Sequence, residues 1–199
     1  MTAVRRRRPI AYYGKSRQLT PARGMVASAS CRAWELVCMS ESSKSLRTPP
    51  SPEEYGPATE TRVRVRYAET DQMGVVYHAN YFVWFECGRV EHLRERGFSY
   101  KDMEKEDRCY IAVVDARCRF KAPARYDDVV IIRTRVARQR GVVLHFAYEA
   151  IRESDGELLA TGETVHVVVD EKFEPRTLPE KYATELDPRH HAQAAAPLD

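Results

Sequence analysis

Several features that define large protein classes are missing from this sequence. No run of residues approaches the ~18 apolar positions that a transmembrane helix needs. The five cysteines contain no CxxC pair and no spacing typical of a zinc site. No glycine-rich phosphate loop is present among the nine glycines. These absences argue against a membrane-spanning protein, a bound metal and a phosphate-cradling loop. A hydrophobic share of 43% and a charged share of 31% are instead typical of a globular domain.

The cysteines indicate a reducing compartment, and we therefore expect a cytoplasmic protein. An odd, scattered set is typical of free thiols rather than of a disulfide framework. One cysteine falls within a helical pattern and two fall in or beside strand patterns, so these three are expected to be buried core thiols rather than catalysts. The five positions are Cys31, Cys38, Cys87, Cys109 and Cys118.

Residues 1–58 show no sustained helical or strand period and are rich in Arg, Ser, Pro and Ala. This composition predicts a disordered extension. The cluster Arg5–Arg8 is compatible with binding to an anionic surface, with an organelle transit peptide, or with an extension upstream of a true start at Met25 or Met39. No aromatic or Lys-rich residues interleave these arginines, so no nucleic-acid partner is expected.

Regular structure is predicted from residue 62 onward. The segment Arg62–Tyr67 alternates strictly between charged and apolar residues, which predicts a half-buried strand with Val63, Val65 and Tyr67 facing inward. A loop over residues 68–79 follows this strand.

A long helix is predicted to follow the loop, from Tyr81 to the vicinity of Gly97. Asn80 is a plausible N-cap and Gly97 a natural residue beyond the C-terminus. The first turns are apolar nearly all round and the last two are charged, so we expect a helix that is buried at its start and exposed at its end. Gly88 costs stability inside a helix, which predicts a neighbour packed close against it.

Four more strands are predicted after the helix, and the last three follow one another too closely for intervening helices. They should form an antiparallel meander. The expected segments are Tyr110–Phe120, Val129–Arg138, Val142–Arg152 and Leu158–Val169. Their alternation predicts one inward face formed by Val130, Ile132, Thr134 and Val136, and another formed by Leu144, Phe146, Tyr148 and Ala150.

The fold class is therefore α+β, with one helix lying on an antiparallel sheet of about five strands. Residues 59–175 form the predicted domain and 176–199 a flexible tail. One helix covers such a sheet poorly, so association into a homodimer or homotetramer is expected.

The segment Thr70–Tyr81, followed by an aromatic helix with Glu86 and Arg89, resembles the 4-hydroxybenzoyl-CoA thioesterase family of hot-dog-fold proteins. The resemblance is strongest to the bacterial acyl-CoA thioesterases associated with the Tol–Pal system, and it extends through Phe120–Asp128 and the closing strands. It implies an antiparallel sheet wrapped around a central helix, a dimer or a dimer of dimers, and hydrolysis of acyl-CoA thioesters without a metal or organic cofactor.

The resemblance also implies roles for individual residues. Asp71 corresponds to the catalytic carboxylate of the family, as nucleophile or as general base. The backbone N–H of His78, at the start of the helix, corresponds to the group that polarises the thioester carbonyl, and Tyr77 to a recurrent residue of the pocket. A second branch of the family uses a glutamate on the helix, and Glu86 and Glu91 are present there. Substrate contacts are expected from the rest of this segment, at Gly74, Val75, Val76 and Asn80.

A plainer interpretation exists for each of these residues. Asp71 could be a turn residue that accepts a hydrogen bond from its own loop. His78 could serve through its main chain alone, and Tyr77 could be a packed aromatic residue. For Asn80 the plainer role is to cap the helix, and this role is favoured over the substrate contact that the resemblance implies. Glu86 is expected to pair with Arg89 at a spacing of three rather than to take part in chemistry.

Other functions are weighed against hydrolysis. A hot-dog hydratase would need a paired histidine and acid at other spacings, which this loop lacks. A non-catalytic protein that binds acyl-CoA or acyl carrier protein thioesters remains an alternative. Without a glycine-rich loop, the CoA phosphates should meet surface cations, and the candidates by position are Lys121, Arg125, Arg138 and Arg140.

Overall fold

The structure, a computed structural model, describes residues 55–188 and residue 190. These residues form five strands, one long helix and two short helices. Residues 1–54 of the extension predicted over residues 1–58, and the last residues of the predicted tail, lie outside the described residues. In chain order the elements are β1 (Thr59–Arg64), a 3-10 turn (Tyr67–Glu69), α1 (Asn80–Glu95), α2 (Tyr100–Glu106), β2 (Tyr110–Phe120), β3 (Val129–Arg140), β4 (Val143–Arg152), β5 (Leu158–Val169) and α3 (Glu180–Leu186).

The strands form one antiparallel sheet in the order β1-β3-β4-β5-β2. The predicted meander of the last three strands is confirmed, and so is the α+β class with a five-stranded sheet and one long helix. Both predicted inward faces are also buried, because the period-2 alternation of β3 and β4 directs these side chains to the same side. They are Val130, Ile132, Thr134 and Val136 on β3, and Leu144, Phe146, Tyr148 and Ala150 on β4.

The first strand ends earlier than its alternation predicts. Val65 is buried as expected, but Tyr67 is 78% exposed and its predicted inward position is wrong. The strand stops at Arg64 and a 3-10 turn begins at Tyr67, which breaks the alternation of sides. This turn redirects the chain from the sheet edge into the loop that leads to α1.

Helix α1 buries one stripe along its whole length rather than only its first turns. The prediction of a helix exposed at its end is therefore wrong, because Gly88, Arg89 and His92 are buried as well as the aromatic residues of the first turns. The missing side chain of Gly88 explains the close approach of the sheet: a Cβ there would lie 2.4 Å from Oγ1 of Thr134. The expectation of a tightly packed neighbour is thus confirmed.

The end of α1 follows the predicted pattern. Gly97 has a positive φ of 83° and donates its N–H to the carbonyl of Arg94, while Phe98 donates to the carbonyl of Leu93. This pair of bonds is a Schellman motif, which requires the left-handed conformation that glycine adopts at low cost.

The three described cysteines are free, but they differ in exposure. Cys109 is buried and Cys118 is half-buried, as expected of core thiols, whereas Cys87 is exposed on α1. The prediction of a buried Cys87 is wrong because this position lies on the solvent side of the helix.

Two helices were not predicted. Helix α2 lies within the segment expected to be a polar connection, where Ser99 caps the helix by accepting the N–H of Asp102 at 3.2 Å and Met103 is fully buried. Helix α3 packs on the domain through Tyr182 and Leu186, both buried. Residues 176–188 therefore belong to the packed domain and do not form the flexible tail expected from residue 176.

No helix among residues 55–188 and 190 is long and apolar enough to cross a membrane.

Candidate active site

The predicted catalytic loop is closed on itself by backbone hydrogen bonds. Thr70 and Val76 form an isolated antiparallel bridge across its base. Inside the bridge, Asp71 donates its N–H to the carbonyl of Val75 and accepts the N–H of Gly74, both at 2.9 Å. Gly74 has a positive φ of 71°, a conformation that L side chains adopt only with strain. The loop is therefore a tight turn with a defined backbone rather than an open connection.

Asp71 is half-buried, and its carboxylate is oriented by its own loop. Oδ1 accepts the backbone N–H of Met73 at 2.8 Å, the turn interaction that the plainer interpretation expects. Oδ2 has no hydrogen-bond partner among the residues that the structure describes. One oxygen thus fixes the side chain and the other is left for a ligand, so the turn role and a chemical role are compatible.

The backbone N–H groups that precede α1 provide a candidate oxyanion site. Tyr77 donates its N–H to the carbonyl of Glu69 at 2.8 Å, and Asn80 donates its N–H to the carbonyl of Tyr77 at 3.0 Å. Between these two, the N–H groups of His78 and Ala79 have no acceptor within the described part of the chain. Unpaired amides at a helix N-terminus, where the helix dipole is positive, favour a developing negative charge.

Asn80 does not cap the helix, and that expectation is wrong. It is the first helical residue, the N-cap position is occupied by Ala79, and Ala79 makes no side-chain cap. The side-chain amide of Asn80 instead donates to the carbonyl of Glu69 at 2.8 Å. Asn80 therefore ties the helix start back to the loop entrance.

The remaining predicted site residues differ in exposure. Tyr77 and His78 are exposed, with their rings 4.3 Å apart in a tilted contact. Gly74 is exposed and Val75 is half-exposed, so both can meet a ligand. Val76 is buried, and its N–H is taken by the carbonyl of Ala124 at 2.9 Å. Its contribution within one subunit is thus to anchor the loop.

The bond between Val76 and Ala124 brings the segment before β3 against the loop. Lys121 and Arg125 lie on this segment and are exposed, so both are near the site. Arg138 and Arg140 lie at the opposite end of β3, on the order of 30 Å away along the strand. Of the four cations predicted by position, only the first two are near the loop of the same subunit.

Sequence reasoning overlooked Glu69, whose carboxylate is buried beside the loop. It accepts the backbone N–H of Arg66 at 2.8 Å, the guanidinium of Arg66 at 2.9 Å and the indole N–H of Trp84 at 3.2 Å. Burial raises the pKa of Glu69, but these hydrogen bonds outweigh that effect and the pKa lies below its ordinary value. The spacing of three between Arg66 and Glu69 was the available signal.

The expected pair of Glu86 and Arg89 is not formed. Glu86 is exposed, whereas Arg89 is buried and donates to the hydroxyls of Tyr100 and Tyr148, each at 3.1 Å. The two side chains leave the helix in different directions, because only Arg89 lies on the stripe that faces the sheet. Among the described residues, no group of three or more His, Cys, Asp or Glu side chains is placed to hold a metal ion.

Known proteins resemble this chain over the region that contains the loop, α1 and the sheet. The family model of the thioesterase-like superfamily matches residues 65–186. The protein YneP of Bacillus subtilis is 41% identical over 57% of this chain and 81% of its own length. The acyl-CoA thioester hydrolase YbgC of Escherichia coli is 39% identical over 62% of this chain and 92% of its own length.

A solved structure shows the same architecture. The DHNA-CoA thioesterase of Staphylococcus aureus superposes with a TM-score of 0.60 and 35% identity, covering 69% of this chain and 89% of that one. The family match spans more than half of the chain and includes the loop, α1 and the whole meander. This chain therefore belongs to the thioesterase-like superfamily.

Proposed function

We propose that the protein hydrolyses acyl-CoA thioesters to a free acid and CoA. The observation that carries the proposal is a carboxylate oxygen on Asp71, in the closed loop, and the N–H groups of His78 and Ala79, between that loop and α1, all without a hydrogen-bond partner among the described residues. A thioester hydrolase needs a nucleophile at the carbonyl carbon, or a base that activates water there, and hydrogen-bond donors for the oxyanion. The names of the relatives YbgC and DHNA-CoA thioesterase support the same chemistry.

Two routes use these groups. In the first, Asp71 attacks the thioester carbonyl, the carbon–sulfur bond breaks, CoA leaves as a thiolate, and water then hydrolyses the mixed anhydride. In the second, Asp71 accepts a proton from a water molecule as that water attacks the carbonyl carbon, and the tetrahedral intermediate then collapses, breaking the carbon–sulfur bond and releasing the CoA thiolate. In both routes the carbonyl oxygen becomes negative while it lies against the His78 amide. Because a CoA thiolate leaves readily, neither route requires a strong general acid.

The side chains around this centre are proposed to bind the substrate. The rings of Tyr77 and His78 are exposed and available to the acyl-CoA, and Gly74 and Val75 expose the loop backbone. Asn80 contributes by fixing the helix start. These roles are supported by the short separation of these residues from Asp71 along the chain.

The phosphates of CoA are proposed to contact Lys121 and Arg125. Both are exposed cations next to the loop, through the bond from Val76 to Ala124. Phosphate groups are recognised by such charges without a dedicated loop.

Association of two copies is proposed to occur along β2. This strand lies at the edge of the sheet, and Val113 and Phe120 on it are 51% and 50% exposed. Phe120 also packs edge-on against Tyr81 of α1 at 5.1 Å between ring centroids. An edge strand with exposed apolar residues is a template for a second strand, which supports a homodimer or a homotetramer built from such dimers.

We also propose that the protein belongs to the Tol–Pal-associated branch of the 4-hydroxybenzoyl-CoA thioesterase family, because its loop resembles the loop of that branch. Location in the cytoplasm is a further part of the proposal, supported by the free thiols of Cys87, Cys109 and Cys118.

A second candidate is a protein that binds acyl-CoA or acyl carrier protein thioesters without turning them over. It is favoured by the Asx-type bond from Met73 to Asp71, which a purely structural aspartate would also make. This candidate predicts that Asp71→Asn leaves ligand binding intact and that the wild type releases no thiol.

The deciding experiment is a thiol-release assay on a panel of acyl-CoAs with wild type, Asp71→Asn and Glu86→Gln. Glu86 is an exposed acid on α1 and is the matched control. We expect turnover by the wild type, a loss of about 10²-fold or more in Asp71→Asn, and little change in Glu86→Gln. Equal turnover by the wild type and Asp71→Asn would show that another residue supplies the catalytic carboxylate. No turnover by any of them would favour the binding protein.

A further inference from the structure

The side chain of Glu69 is buried at the junction of β1, the loop and α1. It is 4% exposed and is the only buried acid in the part of the chain that the structure describes. Removing a carboxylate from water is costly unless donors surround it. Nothing in the proposed reaction uses this carboxylate, so its presence requires another explanation.

The carboxylate joins the strand to the helix. Oε2 accepts the backbone N–H of Arg66, which lies two residues beyond the end of β1. Oε1 accepts the guanidinium of Arg66 and the indole N–H of Trp84, in the second turn of α1. Three donors from two residues, one just beyond β1 and one on α1, therefore converge on one side chain.

The backbone of the same residue holds the far end of the loop. The carbonyl of Glu69 accepts the N–H of Tyr77 and the side-chain amide of Asn80, both at 2.8 Å. Asp71 lies two residues after Glu69, and the unpaired amide of His78 lies between the two anchored positions. The His78 amide is thus flanked by two groups that bind the carbonyl of Glu69, and Asp71 follows Glu69 closely along the chain.

We propose that Glu69 is a positioning residue that fixes the carboxylate of Asp71 relative to the amide of His78. The inference rests on the proposed function, because it names a role in that reaction. Catalysis by an oriented carboxylate and an oriented donor is sensitive to geometry, and a misplacement of about 1 Å costs about 10²-fold in rate. Loss of the Glu69 carboxylate should therefore lower kcat while substrate binding persists.

The first test is Glu69→Gln in the full chain. Glutamine keeps the volume, but its single acceptor oxygen cannot take three donors and its NH₂ group would oppose one of them. We expect kcat to fall about 10- to 100-fold, with KM for the same acyl-CoA within about threefold of wild type. The matched control is Glu60→Gln, which removes an exposed glutamate on β1 that pairs with Arg133 at 2.8 Å. The control should leave both constants unchanged.

A spectroscopic readout separates positioning from general damage. The indole ¹H–¹⁵N resonance of Trp84 should shift in Glu69→Gln and stay in place in Glu60→Gln, because only Glu69 accepts that N–H. If Glu69→Gln does not fold, Trp84→Phe removes one of the three donors and keeps the acid. That variant should lower kcat by a smaller factor without raising KM.

The outcomes distinguish this inference from the proposed function. If Asp71→Asn is inactive and a folded Glu69→Gln keeps the wild-type kcat, the positioning role is overturned and the proposed function stands. If Glu69→Gln does not fold, a wild-type kcat in Trp84→Phe overturns the positioning role in the same way. A wild type that hydrolyses no acyl-CoA would overturn the proposed function, and the role of Glu69 in it would fall at the same time. An equal loss in kcat and in apparent affinity would assign Glu69 to ordinary structural support and also contradict the inference.

Discussion

Arg89 donates a hydrogen bond from Nη1 to the hydroxyl of Tyr148 at 3.1 Å, inside the core between α1 and β4. The guanidinium also donates to Tyr100 at 3.1 Å, and Tyr148 lies 2.8 Å from the hydroxyl of Thr164. No acidic residue among those described forms a salt bridge with Arg89. A buried cation is therefore held by neutral hydroxyls, and both tyrosine hydroxyls accept a hydrogen bond from it.

Arg89→Met should destabilise the protein although it preserves most of the volume. The change leaves buried hydroxyls without their donor, which costs about 1–3 kcal/mol of unfolding free energy. Urea unfolding measures this cost, and Arg94→Met is the control, because Arg94 is an exposed cation that pairs with Glu91. The control should change stability by less than about 1 kcal/mol. A double-mutant cycle with Tyr148→Phe should show favourable coupling, and strictly additive losses would contradict the contact.

Gly88→Ala should also destabilise the protein, although alanine is normally the better helix former by about 1 kcal/mol. The added Cβ would lie 2.4 Å from Oγ1 of Thr134 and 2.9 Å from Cγ2 of Ile132. Overpacking of this kind costs about 1–3 kcal/mol, which exceeds the gain in propensity. Thermal unfolding should show a lower Tm for Gly88→Ala and partial recovery in the double variant with Thr134→Ala. Cys87→Ala, at the exposed neighbouring position, should be nearly neutral, and a stabilised Gly88→Ala would refute the packing argument.

The strands could be predicted because their signal is local. Alternation with a period of two, bounded by turn residues such as Gly141 and Gly156, sets the limits of β2 and β5 as observed, and those of β4 within one residue. The same reasoning failed at Tyr67, because a 3-10 turn changes the side on which a residue points without changing its type.

The buried polar residues could not be predicted, because their partners are distant in sequence. Arg89 meets Tyr148 across 59 positions, and a charged residue in a mixed helix pattern is ordinarily assigned to solvent. Glu69 likewise depends on Trp84, 15 positions on. At the candidate site, the sequence pattern located the loop and Asp71, and the family resemblance indicated the N–H of His78. Only the hydrogen-bond pattern shows that the N–H groups of His78 and Ala79 have no acceptor among the described residues.

His166 should make the protein less stable in mild acid. Burial, together with the positive charge of Arg89 and the neighbouring His145, holds the pKa of His166 well below its ordinary value of 6.5. The folded state therefore keeps this imidazole neutral, while the unfolded chain binds a proton below about pH 6.5. Stability is retained above that pH and falls by up to about 1.4 kcal/mol per pH unit below it.

The measurement for His166 is the free energy of unfolding in urea at pH 7.5 and at pH 5.0. The wild type should lose up to about 2 kcal/mol from this group alone over that interval. In the wild type, Nε2 of His166 lies 2.7 Å from Oγ1 of Thr164, in a hydrogen bond. His166→Gln keeps a polar group near Thr164 but removes the group that titrates. The variant should show a smaller loss between the two pH values, whatever its stability at pH 7.5. Identical pH dependence in both proteins would show that His166 titrates normally.

Val113→Arg should separate the proposed dimer. Val113 is 51% exposed on β2, the strand at the edge of the sheet, and a charge that must be buried between two copies opposes their association. Phe173→Arg places the same charge at another exposed apolar residue, 68% exposed in the turn beyond β5, and serves as the control.

Light scattering after gel filtration should show a dimer or tetramer for wild type and control. For Val113→Arg the dissociation constant should rise about 100-fold, which corresponds to about 3 kcal/mol. A Val113→Arg variant that remains fully associated would exclude the β2 edge as the interface. Because Phe120 on the same strand packs against Tyr81 at the start of α1, an interface along β2 would place the second copy directly beside the Asp71 loop.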